Sequence, residues 1–415
     1  MRIVMRLAGV IVSGLLLTAP VARAAEWFVD PGTGTITKVL ATGAAPGDTL
    51  TLGKGTYYDN VSLPDGDWTL RSVVPGVAVL DGTNTDSVIY ARTGNLVLDG
   101  LILQHGRGHN YEDSPSFRAG GAVCIRGFEH FSSLTAIECV FRDNELVGSD
   151  QVLHGGAVYA EGLVWCVLEA CVFERNFARS GGTDVEFESG GMDLRIERCV
   201  FRSGASVDRG EGMVVGPIDG TTEVRDSQFF GPGSVGFGGR YIDVERCWFQ
   251  GAALGFSDWN LAVPGRVRCV SNFLVGSPTE RGRLQPTIVA SEVAFERNTI
   301  AFVDVSVWGG HAARYTFRAN ALLDVSGSFT LQPGSSMTCT VAWPSLPEDY
   351  YGLLQTDSTV VIVDPAFCDS TEWRLRPNSP CLDGTLCSEP IGASEACDES
   401  PTLRLGWGAL KDRFK

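Results

Sequence analysis

Residues 194–201 read LRIERCVF, and close variants of this octet recur along the chain. The shared pattern is apolar, any, apolar, any, any, Cys or Asn, any, apolar. Nine copies align with it in one register, two of them with Leu101 or Ser227 at the sixth position: LVLDGLIL from Leu96, LTAIECVF from Leu134, CVLEACVF from Cys166, LRIERCVF from Leu194, TEVRDSQF from Thr222, IDVERCWF from Ile242, VRCVSNFL from Val267, VAFERNTI from Val293 and YTFRANAL from Tyr315. Their sixth positions are 20 to 38 residues apart. Such a repeat indicates a solenoid, since a sandwich or a doubly wound sheet has no reason to keep this spacing.

Each octet alternates apolar and polar residues, skips two positions and alternates again. This is the pattern of two short strands joined by a two-residue corner, because side chains on a strand alternate between its faces. A third apolar run precedes most copies, for example AVCI from Ala122, AVYA from Ala157 and DVEF from Asp184. Three short strands per turn predict a parallel β-helix, a solenoid of the all-β class.

Several other stretches carry a family resemblance. They are FVDPGTGTITKVLATGAAPGDTLTLGKGTY at 28–57, the GGAV runs at Gly120 and Gly155 with FRDN and FERN at Phe141 and Phe173, and LRPNSPCLDG and IGAS at Leu375 and Ile391. The first and last resemble the ends of secreted right-handed parallel β-helix proteins of the pectate-lyase-like superfamily. The middle runs are similar to repeats of bacterial polymorphic outer-membrane proteins. The resemblance implies a right-handed β-helix with a short N-terminal capping helix, for which Thr37–Thr42 is the candidate.

The motifs that carry catalysis in this superfamily are missing from the sequence. We find neither the calcium-binding aspartates and catalytic arginine setting of pectate lyases, nor the paired aspartates and Gly-His-Gly of polygalacturonases, nor the Asp-Pro-His of alginate epimerases. The resemblance therefore supplies no catalytic residue, and candidate sites have to come from the repeat register.

The composition is typical of an acidic, exported chain. A formal net charge of −16 over 415 residues repels phosphate backbones and disfavours nucleic-acid binding. Residues 1–24 resemble a signal peptide, with Arg2 and Arg6 before an apolar run and the small-residue sequence ARA at 22–24 before the expected cleavage near Ala24. We expect a secreted or periplasmic monomer with no membrane span in the mature chain; an uncleaved N-terminal anchor is the alternative.

We predict three parts: a signal peptide at 1–24, the right-handed parallel β-helix at 25–335, and a Cys-rich C-terminal cap with a tail at 336–415. The last part holds Cys339, Cys368, Cys381, Cys387 and Cys397, out of 12 cysteines in the chain. Exported proteins permit disulfides, and this segment is rich in Pro and loop residues, so a disulfide-containing cap is predicted. An odd number of cysteines cannot all pair among themselves, and the pairing stays open.

Other cysteines share the sixth octet position. These are Cys139, Cys171, Cys199 and Cys247, and Asn272, Asn298 and Asn320 take over the position further along. We predict an inward corner where copies stack ~4.8 Å apart, because amides can hydrogen-bond along such a stack and cysteine fills it as a small, soft side chain. A zinc site or a nucleophile is disfavoured, since no CxxC occurs and no histidine lies beside these positions. Cys124 falls on the outward face and is expected at the surface.

The same register fixes which side chains point outward from the third strand. With Val123, Val158, Val185 and Met213 inward, one outward row is Cys124, Tyr159, Glu186 and Val214, and a second is Arg126, Glu161 and Glu188, flanked by Asp184. Glu161 and Glu188 should lie on adjacent coils, roughly 5 Å apart at the backbone. Close carboxylates share a proton, bind a cation, or divide into acid and nucleophile. Glu161, Glu188, Asp184 and Glu186 are therefore the candidate catalytic residues; the alternative is a solvated polar face. Calcium is the one cofactor that these carboxylates suggest, and the sequence pattern assigns no metal ligands.

Two insertions before the third strand could wall one end of this groove. QHGRGHNYEDSPSFRAG at 104–120 holds two histidines, and NELVGSDQVLHGG at 144–156 holds another just before its strand. Loops on a rigid scaffold are where binding residues are often found, although these loops could merely vary. The candidate substrate-binding residues are Arg126, Tyr159, His154, His105 and His109.

The leading functional hypothesis is an exported, soluble β-helix protein that binds an extracellular polysaccharide or a cell-surface partner, without demonstrated catalysis. The first alternative is a polysaccharide lyase or glycoside hydrolase that acts on the exposed groove sheet. The second is an adhesin-type structural passenger, which the GGAV and FxxN repeats suggest.

Overall fold

The structure is a computed structural model that describes residues 24–111, 114–127, 132–146, 152–179, 181–188, 192–202, 214–215, 220–257, 265–277, 279, 281–288, 292–309, 314–349, 354–367, 373–382, 384 and 386–393. These residues form a right-handed parallel β-helix with three long parallel sheets, which confirms the fold predicted from the repeat. The first half of each octet lies on sheet 1, the second half on sheet 2, and the preceding run on sheet 3. The predicted signal peptide lies outside the described residues except for Ala24.

The strands of the three sheets follow one another around the coil. Sheet 1 contains Glu26–Val29, Thr49–Leu52, Trp68–Ser72, Asn95–Asp99, Ser132–Ile137, Leu163–Glu169, Asp193–Glu197, Thr221–Arg225, Tyr241–Glu245, Arg266–Val270, Glu292–Glu296, Arg314–Arg318, Ser336–Thr338 and Gln355–Thr356. Sheet 2 contains Gly32–Thr33, Gly55–Tyr58, Ala78–Asp81, Leu101–Gln104, Val140–Arg142, Val172–Glu174, Val200–Arg202, Gln228–Phe230, Trp248–Gln250, Phe273–Val275, Thr299–Ala301, Ala321–Leu323, Val341–Trp343 and Val361–Ile362. Sheet 3 contains Val61–Ser62, Ile89–Ala91, Val123–Arg126, Val158–Glu161, Val185–Glu188, Val214–Val215, Ser234–Gly238, Ala253–Ser257, Gly282–Ile288, Val303–Gly309, Ser326–Thr330 and Glu348–Asp349.

Two smaller sheets among the described residues lie in the connections between sheets 2 and 3. A three-stranded sheet contains His109–Tyr111, Ser114–Ala119 and Val152–His154, and a two-stranded sheet pairs Glu145–Leu146 with Phe177–Ala178. Both insertions leave the coil between sheet 2 and sheet 3, so any site that they build lies on the sheet 3 side.

One helix, Thr35–Thr42, confirms the predicted cap and begins two residues before the predicted start. Its Ile36 is fully buried in the core that fills the coil. The backbone N–H and the hydroxyl of Thr37 both donate to the Asp59 carboxylate, at 3.0 and 2.7 Å. The helix therefore covers the first coil and is held there by a carboxylate near its N-terminus. Among the residues that the structure describes, no helix is long and apolar enough to cross a membrane.

The corner between sheets 1 and 2 turns through a left-handed residue. The residue just before the sixth octet position has φ of 50° at Glu138, 55° at Arg198 and 55° at Ser271, and Gly100 supplies the same turn at 65°. Non-glycine residues adopt this conformation at a cost of roughly 1–2 kcal/mol each. The stacked side chains that follow each corner offset that cost, which explains why glycine is not required there.

The sixth octet position is the inward ladder that the sequence predicts. Asn272, Asn298 and Asn320 are fully buried, and each amide bonds to the next coil: Nδ2 of Asn272 donates to Oδ1 of Asn298, and Nδ2 of Asn298 to Oδ1 of Asn320, both at 3.1 Å. The Asn298 amide also donates to the Cys269 carbonyl, and its oxygen accepts the Asn272 backbone N–H at 2.9 Å. These rungs therefore satisfy buried backbone and side-chain groups together.

The cysteine rungs are equally buried but make weaker contacts. The thiol of Cys171 lies 3.4 Å from the carbonyl oxygens of Ala136 and Glu169, and the Cys199 sulfur accepts the Cys171 backbone N–H at 3.4 Å. Burial raises the pKa of the Cys171 thiol well above its ordinary value and that of Cys247 to about 12. The predicted packing role is confirmed, because a buried neutral thiol is a poor nucleophile and a poor metal ligand.

The last octet position adds a second inward stack, of aromatic rings. Five rings stack face to face along sheet 2 with centroids 4.6 to 4.8 Å apart. They belong to Phe141, Phe173, Phe201, Phe229 and Phe249. Stacking of aromatic rings stabilises the core beyond simple burial of area.

The C-terminal part contains a disulfide, as predicted, between Cys339 and Cys387. Residues around it form a small separate core that includes Val341, Leu375 and Ile391. Strands after residue 335 add to the same three sheets. The boundary at 335/336 stays a prediction, and Cys368 and Cys397 lie outside the described residues.

Candidate functional site

The predicted neighbourhood of Glu161 and Glu188 on sheet 3 is confirmed by the strand register. Glu161 pairs with Glu188 on the next strand and with Arg126 on the previous one. These side chains point outward, because the core takes the alternate positions. Sheet 3 therefore carries a row of one cation and two carboxylates on adjacent coils, which we call the groove row (Arg126, Glu161 and Glu188).

The predicted register fails one coil further on. Sequence alignment places Met213 beside Val185, whereas the structure pairs Val214 with Val185 and Val215 with Glu186. Met213 lies outside the described residues. The error is one residue: Val215, not Val214, pairs with Glu186, so the predicted pairing of Val214 with Glu186 is wrong.

The two insertions lie together at one place, as predicted. Phe117, Arg118 and Ala119 of the first insertion pair in parallel with Val152, Leu153 and His154 of the second. His109 lies on the other side, opposite Ala119 in an antiparallel pair. The three strands form a wall beside sheet 3, which we call the insertion wall (His109–Tyr111, Ser114–Ala119 and Val152–His154).

The insertion wall covers outward side chains that would otherwise meet solvent. Cys124 and Tyr159 are 0% and 1% exposed and pack with Ala119 and Phe117. The expectation that Cys124 lies at the surface is therefore wrong. Its outward direction was assigned correctly, but the repeat contains no information about the wall that buries it.

A histidine and a glutamate meet in a buried pair beneath the wall. Nδ1 of His154 lies 2.5 Å from Oε1 of Glu186, and their side chains are 8% and 6% exposed. The other Glu186 oxygen, Oε2, accepts the backbone N–H groups of Gly155 and Gly182 at 3.1 and 2.9 Å. Burial raises the pKa of the Glu186 carboxyl above its ordinary value, and the His154 hydrogen bond opposes that shift.

Glu188 completes the cluster at its exposed edge. Its side chain is 45% exposed, and its Oε1 lies 3.6 Å from Nδ1 of His154. The Tyr159 hydroxyl donates to Oε2 of Glu188 at 3.0 Å. Burial and three neighbouring carboxylates raise the pKa of Tyr159, so its hydroxyl remains a donor at neutral pH. His154, Glu186 and Glu188 are hereafter the groove cluster.

Two glycines allow the chain to approach Glu186 closely. Gly155 has φ of 64°, and a Cβ there would lie 2.4 Å from the Val158 carbonyl oxygen. Gly181 has φ of 77°, and its Cβ would lie 2.2 Å from Oε2 of Glu186. Side chains at both positions would be strained in backbone; at Gly155 they would clash with the Val158 carbonyl, and at Gly181 with the Glu186 carboxylate.

Asp184 belongs to a different structure, a short second ladder at the insertion corner. The Asn144 amide donates to Oδ1 of Asn176 at 3.0 Å, and the Asn176 amide donates to Oδ1 of Asp184 at 2.8 Å. All three residues are buried. The FRDN and FERN runs therefore supply rungs that fix the base of each insertion, and Asp184 is the last rung rather than a neighbour of the outward carboxylates.

The other two candidate histidines, His105 and His109, are held elsewhere. His105 bonds through Nδ1 to Asp81 at 2.8 Å, at the end of a sheet 2 strand. His109 bonds to Asp86 at 3.1 Å and stacks on Tyr90 with ring centroids 3.8 Å apart. Of the predicted histidines, only His154 joins the carboxylates of sheet 3.

Reasoning from the sequence missed Phe117 and the two backbone donors of Gly155 and Gly182. The Phe117 ring stacks on the His154 ring at 5.1 Å and meets Tyr159 edge-on at 5.6 Å. No periodic signal marks Phe117, because it lies in an insertion. The glycine pairs were visible as GGAV and SGGT, but their contact with Glu186 depends on the fold.

No protein-family model and no curated protein matches the sequence. Among solved structures, the crystal structure of pectate lyase Pel9A is similar over 91% of this chain and 98% of that one, with 13% identity and a TM-score of 0.45. The structure of the PL6 family alginate lyase AlyGC is similar over 80% of this chain and 39% of that one, with 13% identity and a TM-score of 0.30. The strand pairing of the described residues establishes the parallel β-helix, and the contacts above define the candidate site.

Proposed function

We propose that the chain binds an extracellular polysaccharide in the groove of sheet 3, against the insertion wall. The observation that carries the proposal is the groove row: Arg126, Glu161 and Glu188 point outward from adjacent strands beside a wall of inserted chain. A loop-built wall beside a regular surface is a common way to form a binding cleft on a rigid scaffold.

The shape of sheet 3 favours a long ligand. Its 12 parallel strands extend for about 50 Å at ordinary strand spacing. A linear polymer can contact the same row of a sheet on successive coils, whereas a small metabolite cannot. The groove row supplies hydrogen-bond acceptors and donors suited to sugar hydroxyls, because carboxylates accept and guanidinium donates.

The charge favours a neutral polysaccharide. The groove row has two carboxylates against one guanidinium, and the whole chain carries a formal net charge of −16. Anionic polymers are repelled by such a surface, while hydroxyl groups of a neutral sugar can donate to Glu161 and Glu188.

A glycan array followed by titration calorimetry tests the proposal. We expect retention of a neutral glycan, and at least tenfold weaker binding for the double variant Glu161→Gln with Glu188→Gln. The matched control is Glu223→Gln with Glu292→Gln, two outward carboxylates of sheet 1, which should bind like the parent. Absence of any retained glycan, or equal binding by both double variants, would sink the proposal.

One observation favours a second candidate, an enzyme acting on the same polymer. The buried Glu186, with its raised pKa, bonds to His154 beside the half-exposed Glu188. Carboxyl groups in different environments can divide into acid and base, which is what lyases and glycoside hydrolases need.

Product analysis separates the two candidates. The protein is incubated with neutral and uronic-acid glycans, and unsaturated products and new reducing ends are measured. If the protein is an enzyme, we expect it to release product, and we expect Glu186→Gln to reduce the rate of product formation by about 100-fold or more. If no glycan yields product although one is retained on the array, the chain is a binding protein.

A further inference from the structure

We propose that the groove cluster is a binding site for a first-row divalent cation of the Zn²⁺ type. Nδ1 of His154 lies 2.5 Å from Oε1 of Glu186 and 3.6 Å from Oε1 of Glu188. One ligand atom from each residue lies within 4.8 Å of the others. Three candidate ligand atoms thus lie close enough to share one cation, and a fourth ligand would come from solvent beside the half-exposed Glu188.

The donor set selects the kind of cation. An imidazole nitrogen with two carboxylate oxygens suits Zn²⁺ and its first-row neighbours. Calcium prefers six to eight oxygen ligands and does not favour imidazole. The carboxylates alone would suggest calcium. The participation of His154 changes the expected metal. This inference goes beyond glycan binding and does not depend on it.

The distances fit a small cation after a minor adjustment. Zinc bonds to nitrogen and oxygen of about 2.0–2.2 Å in a tetrahedral site place ligand atoms about 3.3 Å apart. The observed separations from Nδ1 lie on either side of that value. The Glu186 carboxylate would have to move away from the ring by less than about 1 Å.

Each proposed ligand is held from outside the cluster. The His154 ring stacks on Phe117, Oε2 of Glu186 accepts two backbone N–H groups, and Oε2 of Glu188 accepts the Tyr159 hydroxyl. In both glutamates the second oxygen is engaged, while Oε1 faces His154. Outer contacts of this kind orient metal ligands and commonly change affinity by 10- to 100-fold when removed.

The experiment is a Zn²⁺ titration of chelator-treated full-length protein by calorimetry, with Ca²⁺ as the comparison ion. We expect one Zn²⁺ per chain and weaker binding of Ca²⁺ by at least 100-fold. Glu188→Gln should weaken Zn²⁺ binding at least tenfold and, because Glu188 is half-exposed, should still fold. Tyr159→Phe should weaken it about tenfold through loss of the outer hydrogen bond. Glu161→Gln is the matched control, since it lies beside Glu188 but outside the cluster, and should bind like the parent.

Cobalt substitution identifies the ligands independently of affinity. Bound Co²⁺ should show visible bands without thiolate-to-cobalt charge transfer, since the proposed ligands include no cysteine. Absence of saturable Zn²⁺ binding, a Glu188→Gln variant that binds like the parent, Ca²⁺ binding as tight as Zn²⁺, or a thiolate band would each overturn the proposal. A failure of glycan binding would leave all of these results unchanged.

Discussion

Two regions of the coil use the same corner in different ways. In the cysteine segment (132–202) the corner is occupied by Cys139, Cys171 and Cys199, whereas in the asparagine segment (266–323) it is occupied by Asn272, Asn298 and Asn320. Both sets are fully buried. The amides form short bonds to one another from coil to coil, whereas the thiols make longer contacts with carbonyl oxygens and backbone N–H groups. The two sets are therefore equally buried, but replacing an asparagine breaks more hydrogen bonds of buried groups than replacing a cysteine does.

The difference coincides with where the molecule carries its candidate site. The described residues of the insertion wall lie beside the cysteine segment, and that segment has the additional Asn144 and Asn176 ladder at the opposite corner. Its coils also stack the phenylalanines of sheet 2. We infer that both segments are held by a buried polar ladder: the cysteine segment by its ladder at the insertion corner, and the asparagine segment by its ladder at the corner between sheets 1 and 2.

The largest expected loss of stability comes from Asn298→Ala. The change removes the acceptor of the Asn272 backbone N–H and the side-chain donor to the Cys269 carbonyl, and it breaks the amide links to Asn272 and Asn320. Each buried unsatisfied group costs about 1–3 kcal/mol. We expect at least about 3 kcal/mol lower free energy of unfolding, measured by urea denaturation. A loss below about 1 kcal/mol would contradict the polar ladder.

The corresponding change in the cysteine segment, Cys171→Ala, should cost much less. It removes one buried sulfur, whose contacts with the carbonyls of Ala136 and Glu169 and with the Cys139 backbone N–H are weak, so we expect about 1 kcal/mol, mostly from the cavity. The measurement is the same urea titration, with Asn298→Ala run beside it. Equal losses in the two variants would mean that the two kinds of rung do not differ.

The groove cluster adds a pH dependence that neither ladder has. Because burial raises the folded-state pKa of Glu186 above its ordinary value of 4.5, the native chain keeps a proton that the unfolded chain has lost. The stability contribution of Glu186 therefore falls as the pH rises above 4.5.

Glu186→Gln isolates this contribution, because the amide oxygen can still accept the N–H groups of Gly155 and Gly182. We expect the melting temperature of the parent relative to this variant to decrease between pH 4 and pH 7. A constant difference across that range would show that Glu186 titrates at its ordinary value.

The smallest expected effect is a difference in the rates at which buried thiols react with a labelling reagent. In native protein Cys139, Cys171, Cys199 and Cys247 should stay unlabelled by a thiol reagent for hours, because they open only with the coil. Cys124 should label faster, since its cover is inserted chain rather than the coil itself. Mass spectrometry of digested, labelled protein assigns each site, and faster labelling of the ladder cysteines would reverse the assignment of inside and outside.

Much of this molecule could be predicted because its order is periodic. One octet fixes two strands, a corner and the inward face, and nine copies make the assignment redundant. The adjacency of Glu161 and Glu188 follows from the same period, and the structure confirms it. The predicted register is wrong at Met213. The strands of sheet 3 carry no octet, so the sequence gives no signal for a difference of one residue between two coils.

The rest of the site could not be predicted, because it is built by aperiodic chain. The contact of His154 with Glu186, the stack of Phe117 and the burial of Cys124 all depend on how two insertions pair with each other. Asp184 illustrates the converse error: alternation groups it with the outward carboxylates, but Asn176 holds it in a ladder. Buried polar groups at this corner need hydrogen-bond partners, and this need determines the position of the Asp184 side chain more than the alternation along a strand of four residues does.

The location of the insertions has a consequence for how such a protein can change over generations. They leave the coil between sheets 2 and 3, whereas the Cys and Asn ladder occupies the corner between sheets 1 and 2. Mutations that lengthen, shorten or replace an insertion can therefore alter what the groove recognises while the opposite corner remains intact. A lineage could acquire new specificities by exchanging inserted segments, with the repeat itself under little pressure to vary.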